Sequence, residues 1–398
     1  MKKICLVVVG LYLSLLNVFS QDTSQYKSKK LNIDEINFVS SYYHQNGDNS
    51  GVTGGIGTEK LTDIANIIEV QMSSFDSATL KKKTLDVSLG VDHYTSASSD
   101  KIDPHTISSA SSRDTRIYPT ASWSVENEKK RTTFGFNVSG SHEFDYLSFG
   151  LGASFSKESK DKSREFTVKA QAYLDQVTII LPIELREDTI SSQQHHIHYP
   201  TSPRDTYSTS LSLSQIINKR LQVLFLTDVT YQHGFLSLPF YRVYFNDGSE
   251  KIESLPSQRF KLPVGARANY FLGDNIIIRS FYRFYVDDWG ITSHTIDLET
   301  AIKLTPFFSV APFYRYYIQT AVNYFAPYKM HAPTDQYYTS DYDLSAFHSN
   351  FVGAGFRISP PRGILGEQNW SMLEIRYGHY MQSNTLNSDI ISLNLKFK

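Results

Sequence analysis

Apolar and polar residues alternate with a period of two along most of this chain, and no other feature restricts its fold as much. Leu85, Val87, Leu89 and Val91 are interleaved with Asp86, Ser88, Gly90 and Asp92. Phe166, Val168, Ala170, Ala172 and Leu174 are interleaved with Glu165, Thr167, Lys169, Gln171 and Tyr173. The same holds for Ile296–Leu304 and for Leu373, Ile375 and Tyr377 against Met372, Glu374 and Arg376. Successive side chains of a strand point to opposite faces, so each segment is a ribbon with one apolar and one polar side. From about Ile36 onward the pattern predicts sixteen strands, near 34–44, 61–75, 83–95, 118–127, 132–142, 145–157, 163–185, 206–217, 222–232, 261–272, 276–287, 294–305, 307–319, 345–357, 370–381 and 388–397. Segment 163–185 is overlong. Its second half, Val177–Leu185, is expected to project from the sheet or to break at Pro182, and fourteen strands is the alternative count.

Such ribbons can form a soluble sandwich, with apolar faces against each other, or a membrane barrel, with apolar faces against lipid. The connections separate the two. Short polar links (76–82, 127–131, 159–162, 218–221, 273–275, one near Pro306 and the longer 359–369) alternate with a second set. That second set holds every long connection: 45–60, 96–117, 187–205, 233–260 and 320–344. Outer-membrane barrels have short periplasmic turns and long external loops, and an up-and-down topology places every second connection on the same side. The expected fold is therefore an all-β transmembrane, antiparallel, up-and-down barrel over 34–398. The aromatic-rich runs Phe281–Tyr285 and Phe313–Tyr317 are expected near the headgroups. The last strand places Ile391, Leu393, Leu395 and Phe397 on one face, a signal that barrel insertion machinery reads, although here the aromatic is penultimate.

The amino terminus fits export. Lys2 and Lys3 precede an apolar run from Ile4 to Leu16, and 1–20 reads as a signal peptide, with Gln21 opening the mature chain and 21–33 a short periplasmic segment. Cys5 is the sole cysteine, so removing that segment excludes disulfides and thiolate chemistry. With 39 basic and 40 acidic residues, the charge balance gives no argument for nucleic acid as a partner.

Several stretches carry a family resemblance: Ile36-Asn37-Phe38-Val39-Ser40-Ser41-Tyr42-Tyr43-His44-Gln45, the Gly-rich Gly51–Leu61, Val91-Asp92-His93-Tyr94 through Asp100, Ile102-Asp103-Pro104, Ser108–Ser112 and Asp114-Thr115-Arg116-Ile117-Tyr118-Pro119. Together they resemble a family of uncharacterised outer-membrane β-barrels found mainly in Bacteroidota. The resemblance implies fold and location but no activity.

Candidate chemistry is sparse. Gly51–Leu61 lacks a phosphate-loop pattern and reads as a tight or inward-folded loop. Asp92, His93, Asp100, Asp103, His105, Arg113, Asp114 and Arg116 offer carboxylates for a divalent cation, or a hydrated loop held by Asx turns. His195, His196 and His198 offer imidazoles to a metal or simply form a polar loop, with His93, His233, His331 and His348 able to join only if the loops converge. No Gly-x-Ser-x-Gly elbow is present, so no catalytic residues, cofactor or metal are assigned and enzyme activity is not expected. The better candidates are mid-strand charges predicted to line the lumen: Lys169, Arg267, Arg279, Arg283, Glu299, Arg315, Glu374 and Arg376, together with Glu165, Asp297 and Lys303. Clustered cations would favour anions, whereas fully paired ones would knit a filled lumen. Loops 233–260 and 320–344 are aromatic enough to fold inward as a lid. The expected function is a porin-like channel for small solutes in the outer membrane, surrounded by outer-membrane lipid. The alternative is a barrel that docks an envelope protein partner.

Overall fold

In a computed structural model, which describes residues 31–95, 113–185 and 199–398, sixteen antiparallel strands close into one barrel. The strands are β1 (Asn32–Asn46), β2 (Leu61–Asp76), β3 (Lys81–Thr95), β4 (Arg113–Asn127), β5 (Thr132–His142), β6 (Tyr146–Glu158), β7 (Arg164–Thr178), β8 (Thr201–Asn218) and β9 (Leu221–Gly234). A small hairpin, β10 (Arg242–Tyr244) and β11 (Glu250–Ile252), stands apart from the barrel. The barrel resumes with β12 (Gln258–Leu272), β13 (Ile276–Asp287), β14 (Thr292–Thr305), β15 (Phe308–Gln319), β16 (Phe347–Ile358), β17 (Trp370–Gln382) and β18 (Asn387–Phe397). Each strand pairs with its chain neighbour, β9 with β12, and β18 returns to β1 in register from Ile36↔Phe397 to Asn46↔Asn387. Sixteen is thus the count. Strand β7 stops at Thr178, before Pro182 rather than at it, and Ile183–Leu185 form a single 3-10 turn.

The faces sort as the alternation requires. On β5, Phe134, Phe136 and Val138 point outward and are 54%, 63% and 46% exposed; on β6, Leu147, Phe149 and Leu151 are 51%, 49% and 46% exposed. So large an apolar surface is unstable in water and stable against hydrocarbon. The spanning sheet has no free edge, so each ladder hydrogen bond is satisfied without solvent. The strands run from 11 to 18 residues, long enough to cross an outer membrane when tilted. The protein is an outer-membrane β-barrel.

Period two also splits the aromatic runs that the sequence places together at the headgroups. On β13, Tyr282 is exposed on the outer face, while Phe281 lies in a lumenal cavity with Arg279. On β15, Tyr314 faces out and Phe313 faces in. Only half of each run can contribute to a membrane belt.

At one end the strands are joined by tight turns, apart from the longer 359–369 link between β16 and β17; at the other, three connections fold together. The β9–β12 loop, carrying the hairpin, pairs with the β15–β16 loop through Ser254 N–H to Tyr338 O (3.1 Å) and Tyr338 N–H to Ser254 O (2.7 Å). Val243, Phe245 and Tyr338 are buried between them, and Leu255, Trp289, Ile291 and Val322 form a second apolar cluster. The β1–β2 loop joins through Arg242, whose Nη1 donates to Val52 O (2.7 Å). Gly54 (φ 76°) shows why this loop needs glycine, since a Cβ there would sit 2.6 Å from the Tyr244 ring. The Gly-rich segment is therefore an inward-folded loop, and these connections make a lid.

Candidate functional site

Strands β12 to β18 build one charged wall at mid-height in the lumen. Cross-strand register sets Arg267 beside Phe281, Phe281 beside Asp297, Asp297 beside Arg315 and Arg315 beside Phe351. The next row sets Asn269, Arg279, Glu299, Phe313 and Gly353 side by side. A cavity of about 540 Å³ lies against this wall, lined among others by Arg267, Arg279, Phe281, Asp297, Glu299, Phe313, Arg315, Phe351 and Arg376.

Glu299 is the hub. It accepts from Arg279 Nη1 (2.5 Å) and from Arg376 Nη2 (2.7 Å). Arg376 also meets Glu374 at 3.3 Å, and Arg315 meets Asp297 at 2.7 Å. Arg376 reaches from β17 to β14 because the intervening wall is flat. Gly353 and Gly378 pair directly, and a Cβ on Gly378 would collide with the Phe351 ring at 2.5 Å. The Phe313 and Phe351 rings occupy the space so cleared. Arg376 lies 5.0 Å over Phe313, Arg315 6.0 Å over Phe351 and Arg267 5.5 Å over Phe281, each within reach of the ring's negative face.

The pairing is incomplete. Four guanidiniums and two carboxylates line the cavity, a net charge of about +2, because arginine stays protonated in proteins. Arg267 has no acidic partner among the described residues and rests only on its ring. Arg283, one row nearer the lid, leaves its buried Nε without a hydrogen bond and is not part of the cavity lining. Lys169 is on the opposite wall, with Thr120, Ser122, Asn137, Ser154 and Gln171 around a second cavity of about 410 Å³. The first cavity's lining is cationic in sum, whereas the second is lined mainly by uncharged polar groups around Lys169, with Asp86 and Asp92 facing inward on β3. Of the eight residues predicted to line it, Arg267, Arg279, Glu299, Arg315 and Arg376 converge, Glu374 supports Arg376, and Arg283 and Lys169 stand apart.

The metal candidates separate. Asp92 faces inward and accepts from Tyr118 OH (2.8 Å), while His93 points outward to Thr115 Oγ1 (2.9 Å). His331 is buried in the lid, its Nε2 2.9 Å from Thr339 O, whereas His93, His233 and His348 lie on three separate strands. They do not converge. Asp100, Asp103, His105, His195, His196 and His198, like the proposed signal and most of 21–33, lie outside the described residues. One carboxylate group was not legible beforehand: Asp114, Glu143 and Asp145 lie within 4.8 Å of one another at the lid end. Asp114 is already engaged by Thr115 N–H (2.6 Å) and Phe144 N–H (3.1 Å), and Glu143 by Tyr94 OH (2.5 Å).

Residues 13–390 match the family described as protein of unknown function (DUF3570). The chain belongs to this family. A comparison with curated proteins gives no match. Among solved structures, this DUF3570 chain is similar to a bacterial polysaccharide outer membrane secretin, at 9% identity over 92% of this chain and 97% of that one (TM-score 0.46). It is also similar to OccK1 (OpdK) of Pseudomonas aeruginosa, at 7% identity over 91% and 97% (TM-score 0.41). A BenF-like porin from Pseudomonas fluorescens Pf-5 matches at 8% identity over 92% and 98% (TM-score 0.41).

Proposed function

We propose that this barrel is a porin-like channel for small solutes, and that its charged wall makes it prefer small anions. The observation carrying the reading is the excess of guanidiniums over carboxylates around one 540 Å³ cavity. In a narrow lumen with low-dielectric walls such an excess concentrates anions and lowers the barrier to their passage. The phenylalanine rings under the guanidiniums add apolar surface, which suits organic anions over halide. No catalytic step is part of this reading.

A second reading, docking of an envelope protein, has one observation in its favour. The lid has its own buried core, so it presents an ordered surface over the mouth. Conductance separates the two. The purified protein in planar bilayers, under a salt gradient, is expected to conduct steadily with a reversal potential on the anion side. Arg267→Glu combined with Arg315→Glu is expected to move that potential toward the cation side. A silent bilayer favours docking, and an unmoved potential removes the charged wall from the permeation path.

A further inference from the structure

Seven of the eight histidines among the described residues stand on the barrel's outer face, each within three residues of the lid end of its strand. They are His44 on β1, His93 on β3, His142 on β5, His233 on β9, His294 on β14, His348 on β16 and His379 on β17. None of the described strands carries a histidine at the opposite end, where the outward cations are Lys81, Lys83, Lys157 and Arg164. Two ladder rows carry four of the seven. Phe284, His294, Ile318 and His348 share one row, and Val352, His379, Asp389, His44 and Thr62 share another. The two rows cross β16 four residues apart, at His348 and Val352, so the histidines form a band near the lid end rather than a single row, spread over seven of the sixteen strands.

That end of the strands is where the apolar belt meets the headgroups. Tyr42, Ile296 and Tyr377 lie two residues further from the lid than His44, His294 and His379, and Val229 and Val352 four residues further than His233 and His348, all exposed on the outer face. An imidazole pointing into hydrocarbon would lose its hydrogen bonds, so a band of them requires a polar layer. The chemistry of the band points further. Nδ1 is held by the neighbouring strand in His44 (Thr62 Oγ1, 3.0 Å), His93 (Thr115 Oγ1, 2.9 Å), His294 (Tyr282 OH, 2.8 Å) and His379 (Asp389 Oδ1, 2.8 Å). Nε2 of each has no hydrogen-bond partner among the described residues. Where a hydroxyl donates to Nδ1, as Thr62, Thr115 and Tyr282 can, Nε2–H is presented as a donor; neutral His379, whose Nδ1–H donates to Asp389, presents Nε2 as an acceptor and donates from it only when protonated.

We propose that this band is a collar for the phosphate groups of lipids in the leaflet at the lid end. Seven imidazoles stand on the outer face near the lid end, and each can donate to a phosphate oxygen from a nitrogen that carries a proton. Protonation adds charge-assisted bonds, so the collar grips more tightly in acid. The other charged groups facing it are few. Asp389 is opposite His44 and His379, Asp205 is opposite His233, and Arg113 lies on the same face just beyond Thr115. The remaining neighbours, Thr62, Thr115, Tyr231, Tyr282 and Tyr316, are uncharged. The proposal depends on the outer face alone, whether or not the lumen is open.

The test uses the full-length protein in vesicles of phosphatidylcholine, with or without phosphatidylglycerol, whose phosphodiester keeps one charge between pH 5.5 and 8. Unfolding temperature is read at both pH values for the native chain and for a variant with glutamine at all seven positions. Phosphatidylglycerol is expected to raise the native midpoint by several degrees at pH 5.5 and by clearly less at pH 8. The variant is expected to keep only the pH-independent part contributed by the lysines and arginines. Equal, pH-independent stabilisation of both proteins overturns the collar. So does an equal shift given by inorganic phosphate to the native protein in detergent, which would mark a free-anion site. Should the sevenfold variant not refold, H44Q, H93Q and H142Q together are expected to remove about half of the pH-dependent shift, and no loss in that triple variant counts against the collar.

Discussion

At the scale of single residues, Glu299 and Gly378 control the charged wall. Glu299 holds two arginines, and the pairs are half open to the lumen, so each contributes on the order of 0–1 kcal/mol after solvent screening. Glu299→Gln should cost little stability yet remove a negative charge between two cations. The expected outcome is a larger anion preference, read as a reversal potential further to the anion side, with an unchanged unfolding midpoint. Gly378→Val acts oppositely. Its side chain must displace the Phe351 ring, an overpacking change of about 1–3 kcal/mol. Thermal unfolding should shift down, and the anion preference should fall as Arg376 is pushed off Glu299. Sequence alternation was enough to place Arg279, Arg315, Glu299 and Arg376 inside, because inward and outward are set by parity. Their depth was not legible. That depends on register between strands, fixed by turns and by glycine pairs such as Gly353 and Gly378, and it is why Arg283 and Lys169 fell away from the cluster.

At the scale of elements, the lid carries buried carboxyls. Burial lifts Glu253 to about 7, even though Thr339 and the Leu238 N–H donate to it. Burial and the nearby Asp343 charge lift Glu59 to about 7 as well. A carboxyl with a raised folded-state value binds more protons folded than unfolded, so its contribution is whole below about pH 4.5 and is lost as pH rises through about 7. The lid should pack most firmly in acid. Hydrogen exchange in 235–257 and 320–346, corrected for intrinsic rates, should quicken between pH 5 and pH 8, and Glu253→Gln should flatten that rise. A rise of the same size in the variant would assign the effect elsewhere. The strands themselves were legible from alternation to within about five residues at each end, save the far end of β7, which stops at Thr178 where the pattern ran on to 185. The lid's packing was foreseen only in outline, since aromatic content says that a loop can fold inward but not which loops will share a core.

At the scale of the whole molecule, the parity of long and short connections announced an up-and-down barrel, and closure follows because hydrocarbon tolerates no unpaired strand edge. Closure rests on the seam between β1 and β18, where the Lys396 ammonium also meets the Glu35 carboxylate at the narrow-turn end. Deleting 387–398 is expected to abolish the heat-resistant, compact band that closed barrels give in electrophoresis, while Lys396→Ala alone should leave it intact. The seam has a consequence for how the protein is made. Strand β1 must wait, unmated along one flank, until β18 is delivered. No shorter chain is a smaller version of this one: the cylinder exists whole or not at all.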